Sequence, residues 1–141
     1  MLVDFLSMFS SSQELSGAST DSEVLDIKKA GISEGVGYIY VRAEGALTGL
    51  GTVTLAGSTD NKTFADIVTY PFTDLTDGGG VNMPIPQGLP QYLKLVYKAA
   101  AGAEGAAGTM SGKVTAGVTL RPESPRGKRI GDFAANPNHA V

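Results

Sequence analysis

At 141 residues, with 42% hydrophobic and 18% charged side chains, the chain suits one domain with its own core and a surface rich in Thr, Ser and Gly. Nineteen glycines and seven prolines exclude a fold of long helices, and the lack of cysteine excludes disulfides, thiolate metal sites and thiol chemistry, in keeping with assembly in a reducing cytoplasm. The net charge of −3 is uneven: residues 121 to 141 carry four bases and two acids, the rest seven bases and twelve acids, so the body lacks the basic face that nucleic-acid binding needs.

The opening MLVDFLSMF is apolar but carries Asp4, has no basic leader and is too short to span a bilayer. No later stretch reaches that length, so neither a signal peptide nor a membrane partner is expected. Leu2, Phe5, Leu6 and Phe9 follow helical spacing until the serines at 10 to 12 stop it. Residues 1 to 20 therefore read as an N-terminal arm, a short helical turn or an edge strand, ordered by docking onto the body or a neighbour. SGASTDS, residues 16 to 22, reads as a linker or turn.

Residues 21 to 120 carry seven strand candidates. In Val24 to Lys29, Leu25 and Ile27 share one face; in Val36 to Ala43, Ile39 and Val41 oppose Tyr38, Tyr40 and Arg42. Thr52-Val53-Thr54-Leu55 alternates, Gly57 to Lys62 is a cluster of turn formers, and Ile67-Val68-Thr69-Tyr70 resumes the strand before Pro71 closes it. Val81 to Ile85 alternates beside prolines 84, 86 and 90, which confine it to an edge or sheet boundary. Gln91 to Ala99 turns Leu93, Leu95 and Tyr97 inward; Thr109 to Leu120 turns Val114, Ala116, Val118 and Leu120 to one face. AAGAEGAAG between these last two is a small-residue hairpin tip. This spacing predicts an all-β antiparallel β-sandwich, of jelly-roll type, with extended N- and C-terminal arms. After Leu120 the periodicity stops, and residues 121 to 141 read as an extended tail that Ile130 and Phe133 are best suited to anchor.

Chemistry is sparse. The one histidine, His139, sits in the tail, where nothing holds a general base against a partner. Asp60, Asp66, Asp74 and Asp77 lie in or beside turns; paired loop carboxylates can hold calcium or serve a hydrolase, but Asp is also an ordinary turn residue, and the EF-hand spacing is absent. Gly78-Gly79-Gly80 lacks the lysine and the helix of a phosphate loop. No cofactor is expected. Tyr38, Tyr40, Tyr70, Tyr92 and Tyr97 raise the alternative of a carbohydrate-binding module, though without tryptophan, the strongest sugar-stacking side chain. The bases of the tail are either solvated charge or an arm laid on an acidic partner.

Four segments in order, MLVDFLSMFSSSQEL, TVTLAGSTDNKTF, VNMPIPQGLPQYLKLVY and GTMSGKVTAGVTL, resemble the capsid cement (head-decoration) proteins of tailed bacteriophages, in particular a jelly-roll family from short-tailed phages. The tail is longer and more basic than that pattern. The resemblance implies a non-enzymatic protein that binds the outer surface of the assembled head, in the virion, and bridges neighbouring major capsid protein subunits. It implies a symmetric homo-oligomer, a dimer or trimer, at local two-fold or three-fold positions. Several weak contacts then multiply through effective concentration. The arms are expected to supply the contacts through Leu2, Phe5, Phe9, Arg121, Arg126, Lys128, Arg129, Ile130 and Phe133.

Overall fold

The alternation around Val53 places that residue and Leu55 in the core from the centre of one of two antiparallel sheets. The computed structural model describes residues 8–32, 35, 37–102 and 108–119. Its elements are β1 (Met8–Gly17), β2 (Ser19–Asp21), β3 (Leu25–Asp26), α1 (Ile27–Ala30), β4 (Tyr38–Thr48), β5 (Leu50–Ser58), β6 (Ala65–Pro71), β7 (Gly80–Pro84), β8 (Tyr92–Ala99) and β9 (Met110–Thr119). One sheet runs β1-β9-β4-β7; the other runs β2-β8-β5-β6, with β3 following β2 along the same edge of β8. The fold is an all-β sandwich.

Its core follows from period-two patterning. Ile39, Val41 and Ala43 of β4 and Val114 and Ala116 of β9 face Val53 and Leu55 of β5 and Leu93, Leu95 and Tyr97 of β8. Each fully buried aliphatic side chain contributes about 1.5–3 kcal/mol relative to exposure, so these central strands carry most of the stability. β7 lies at a sheet edge, the place its prolines allow. The turn from β4 to β5 is a single residue, Gly49, with φ +77°, and a Cβ there would lie 1.9 Å from the Thr109 carbonyl oxygen. Only glycine fits both conditions.

Two expectations are corrected. Residues 8 to 20 take the edge-strand alternative and belong to the sandwich rather than to an arm ending at residue 20: β1, at a sheet edge, pairs with β9 from Met8↔Gly117 to Gly17↔Met110. Register shifts on either side of Ser10, and Ser12 at φ 48°, break the alternation that would have marked it as a strand. Second, Val24 to Lys29 is not one strand. Asp26 caps a single helical turn by accepting from the Lys28 and Lys29 backbone N–H groups, and Gly31 ends it in the left-handed conformation.

Candidate partner-binding surface

Of the residues expected to contact a partner, Leu2, Phe5, Arg121, Arg126, Lys128, Arg129, Ile130 and Phe133 lie outside the described residues. Phe9 is the correction. It is 1% exposed within the core, because the irregularity in β1 turns both Phe9 and Ser10 inward. Its ring is spent on folding and is not available to a second molecule.

The register fixes where the chain beyond the sandwich begins. Met8 stands opposite Gly117, and Thr119 stands opposite Tyr38, which is also paired with Pro84. Met8 and Thr119 thus sit at the same end of the sandwich on neighbouring strands. In the second sheet, that end holds α1, the turn between β5 and β6, and the start of β8, where Ser58 and Asp26 both pair with Tyr92. The opposite end holds the one-residue β1–β2 and β4–β5 turns and residues 72 to 79.

Asp60 and Asp74 serve their own turns, and Asp77 ties its turn to β4. Asp60 Oδ1 accepts from Ser58 Oγ at 2.7 Å, Lys62 N at 2.9 Å and Thr63 N at 3.1 Å. The Ser58 hydroxyl and these backbone N–H groups hold the Asp60 carboxyl down to about 2, from an ordinary 3.8. Asp74 accepts from Thr76 N and Oγ1, and Asp77 accepts from Gly45 N at 2.8 Å. Asp66 is exposed on β6. Among the described residues no three His, Asp or Glu side chains gather as a metal site.

The tyrosines do not form one face. Tyr38 is 36% exposed on the outer side of β4, whereas Tyr40, two residues on, is 2% exposed beside Gly117, and burial pushes its phenol pKa up. Tyr97 is in the core and Tyr70 packs against it. The Tyr97 hydroxyl lies 2.7 Å from Ser10 Oγ, which donates to Gln13 Oε1 at 2.6 Å; Gln13 Nε2 then donates to the Asp21 carbonyl at 2.7 Å. Since Ser10 gives its one proton to Gln13, Tyr97 must be the donor to Ser10. This chain, invisible in the alternation pattern, ties β8 to β1 across the two sheets.

Beside it, a cavity of about 340 Å³ opens among Met8, Phe9, Ser10, Ser11, Gln13 and Glu23. On the outer face of the second sheet, Lys94 Nζ reaches Asp21 Oδ2 at 2.8 Å and lies 4.5 Å above the Phe64 ring. The arrangement is one of turns, caps and ladders. No protein-family model matches this chain, and no curated protein matches its sequence.

Proposed function

We propose that the protein is a non-enzymatic capsid decoration (cement) protein. It binds the outer surface of an assembled phage head and bridges neighbouring major capsid subunits as a symmetric dimer or trimer. The observation that carries this reading is geometric: Met8 and Thr119 lie side by side at one end of a stiff sandwich, so the segments beyond them start from a common point. Two tethers rooted together can engage neighbouring subunits of a lattice at once, and linked contacts strengthen one another through effective concentration.

The strand order supports the jelly-roll part of the proposal. With β2 and β3 taken as one interrupted strand, eight strands form two four-stranded sheets, 1-9-4-7 and 2/3-8-5-6 in the numbering used here. The sequence segments that resemble the cement family fall on β1, β5, β7–β8 and β9, the strands that build both sheets. The commitment of Asp60 and Asp74 to their own turns, and of Asp77 to the Gly45 N–H of β4, favours a scaffold over a hydrolase.

The test is cosedimentation of the purified protein with expanded, undecorated phage heads, alongside its solution mass. Saturation at a fixed copy number per capsid subunit is the expected result. A well-folded protein that stays in the supernatant with every head tried overturns the reading.

A further inference from the structure

The two sides of the sandwich are finished differently. On one side β1 is tied to β2 and the residues after it: Glu23 N donates to the Phe9 carbonyl at 3.0 Å, Ser16 N to Thr20 Oγ1 at 3.1 Å and Gln13 Nε2 to the Asp21 carbonyl at 2.7 Å. On the other side the sheets end in β6 and β7. β7 has five residues and closes on Pro84, whereas β6 has seven, none of them buried. Val68 and Tyr70 share the core face with their partners Leu55 and Val53, yet stay only partly buried because no strand follows β6. The backbone of β6 is half-used as well. Phe72 N donates to the Gly51 carbonyl at 2.9 Å, which marks Thr52↔Pro71 as a non-hydrogen-bonded pair. By alternation Val53↔Tyr70 exchange bonds and Thr54↔Thr69 do not, so the Thr69 N–H and C=O point away from β5. An edge left in this state is a template for another strand.

We propose that β6 is the seam of a two-fold homodimer, pairing antiparallel with the β6 of a second copy so that two sheets run on as one. The occupant is a second copy because the segment complements itself. An axis through Thr69 sets its outward N–H and C=O against those of the partner's Thr69, giving two bonds between identical residues. The same register sets Val68 against the partner's Tyr70 and Tyr70 against the partner's Val68, two β-branched–aromatic pairs on the core side of the sheet. On the outer face Thr69, whose hydroxyl lies 2.9 Å from Thr54 Oγ1, meets the partner's Thr69, a favourable cross-strand pair. Asp66, the only charged residue of β6, falls opposite the partner's Phe72. The two carboxylates therefore stand at opposite ends of the ladder, and like charge does not oppose the pairing. The irregular positions also meet: the bulge at Ile67 lies against the partner's Pro71, which has no N–H to give. They confine the ladder to Val68-Thr69-Tyr70 of each copy, and a contact that small makes a dimer that dissociates on dilution. β2 and β3, of three and two residues, offer no comparable edge. The inference stands on β6 alone; of the dimer and trimer that the cement reading allows, it selects the dimer.

Position 69 is exposed and faces its own copy in this register, which permits a charge-swap test. Sedimentation velocity of the full-length protein, from about 1 to 500 μM, should show a monomer–dimer equilibrium. Thr69→Lys and Thr69→Glu should each raise the dimer dissociation constant about tenfold, because like charges then face each other across the axis. An equimolar mixture of the two should restore dimers, and circular dichroism should show both variants folded. The chain has no cysteine, so Thr69→Cys provides a second measurement that needs no new charge. It should cross-link to its own copy under mild oxidation, since facing Cα atoms about 5.5 Å apart are within disulfide reach. Glu14→Cys, exposed on β1 of the other sheet, should not. A monomer at every concentration, a trimer, or a dimer indifferent to both charged variants overturns the proposal, as does cross-linking of Glu14→Cys as fast as Thr69→Cys. A dimer that passes these tests but never binds heads overturns the cement reading and leaves the β6 seam in place. A trimer that binds heads does the reverse.

Discussion

At the scale of single residues, the hydroxyl chain from Tyr97 to Ser10 and Gln13 makes an asymmetric prediction. Burial raises the Tyr97 pKa, which keeps the phenol a neutral donor. Tyr97→Phe removes that donor but leaves Ser10 bonded to Gln13, so it should cost only about 1 kcal/mol. Ser10→Ala strands the Tyr97 hydroxyl in the core and should cost more, about 1–3 kcal/mol. The double variant should be more stable than Ser10→Ala alone, because no buried hydroxyl is then unpaired. Urea midpoints of the four proteins check this, and equal midpoints for the two single variants would dismiss the donor assignment. Asp60 makes a second prediction. Its carboxyl is held at about 2 in the folded chain against 3.8 ordinarily, so the stability it lends is present above pH 4 and is lost as pH falls through 2. Ser58→Ala removes the largest cause and should move the Asp60 titration, followed by carboxyl NMR, upward toward 3.8. Neither feature was legible in the sequence beyond the presence of a turn, because Ser58 and Ser10 read as polar surface while the fold buries both.

At the scale of elements, legibility tracked regularity. The proline-marked edge β7 and the inward faces of β8 and β9 were readable because each keeps a period of two, and the β5–β6 hairpin because turn formers separate two apolar runs, although a bulge at Ile67 breaks the period within β6. β1 was legible only as one of two alternatives, edge strand or helical turn, since its bulges place Phe9 and Ser10 inward in succession and break the alternation. The turn of helix after β3 did leave a signal: Asp26 before Ile27-Lys28-Lys29-Ala30 and Gly31 after it are an N-cap and a C-cap, and two apolar residues at alternate positions concealed them. The Gly49 turn offers the sharpest test of how closely the elements meet. Gly49→Ala combines a left-handed backbone, worth about 1–2 kcal/mol against an L-residue, with a Cβ 1.9 Å from the Thr109 oxygen. Thermal unfolding should show a loss exceeding about 2 kcal/mol, with the β4–β5 and β8–β9 ends displaced together. A shift no larger than that of an exposed substitution would mean the turn is not built as described.

At the scale of the whole molecule, the uneven charge makes the proposed function testable. Residues 121 to 141 carry a balance of +2 against −5 for the rest of the chain. The proposed function then predicts effects on both rates of binding. Removing residues 121 to 141 should slow association with heads at low salt and flatten its dependence on ionic strength, because a basic segment steers encounter with an acidic surface and is screened over about 10 Å at 0.1 M. Dissociation should quicken as well, since one tether is gone. Stopped-flow association and dilution-jump dissociation, measured from about 0.05 to 0.5 M salt, check both rates. If the truncated protein retains both the full affinity and the full salt dependence of the intact chain, the tail plays no part in capture.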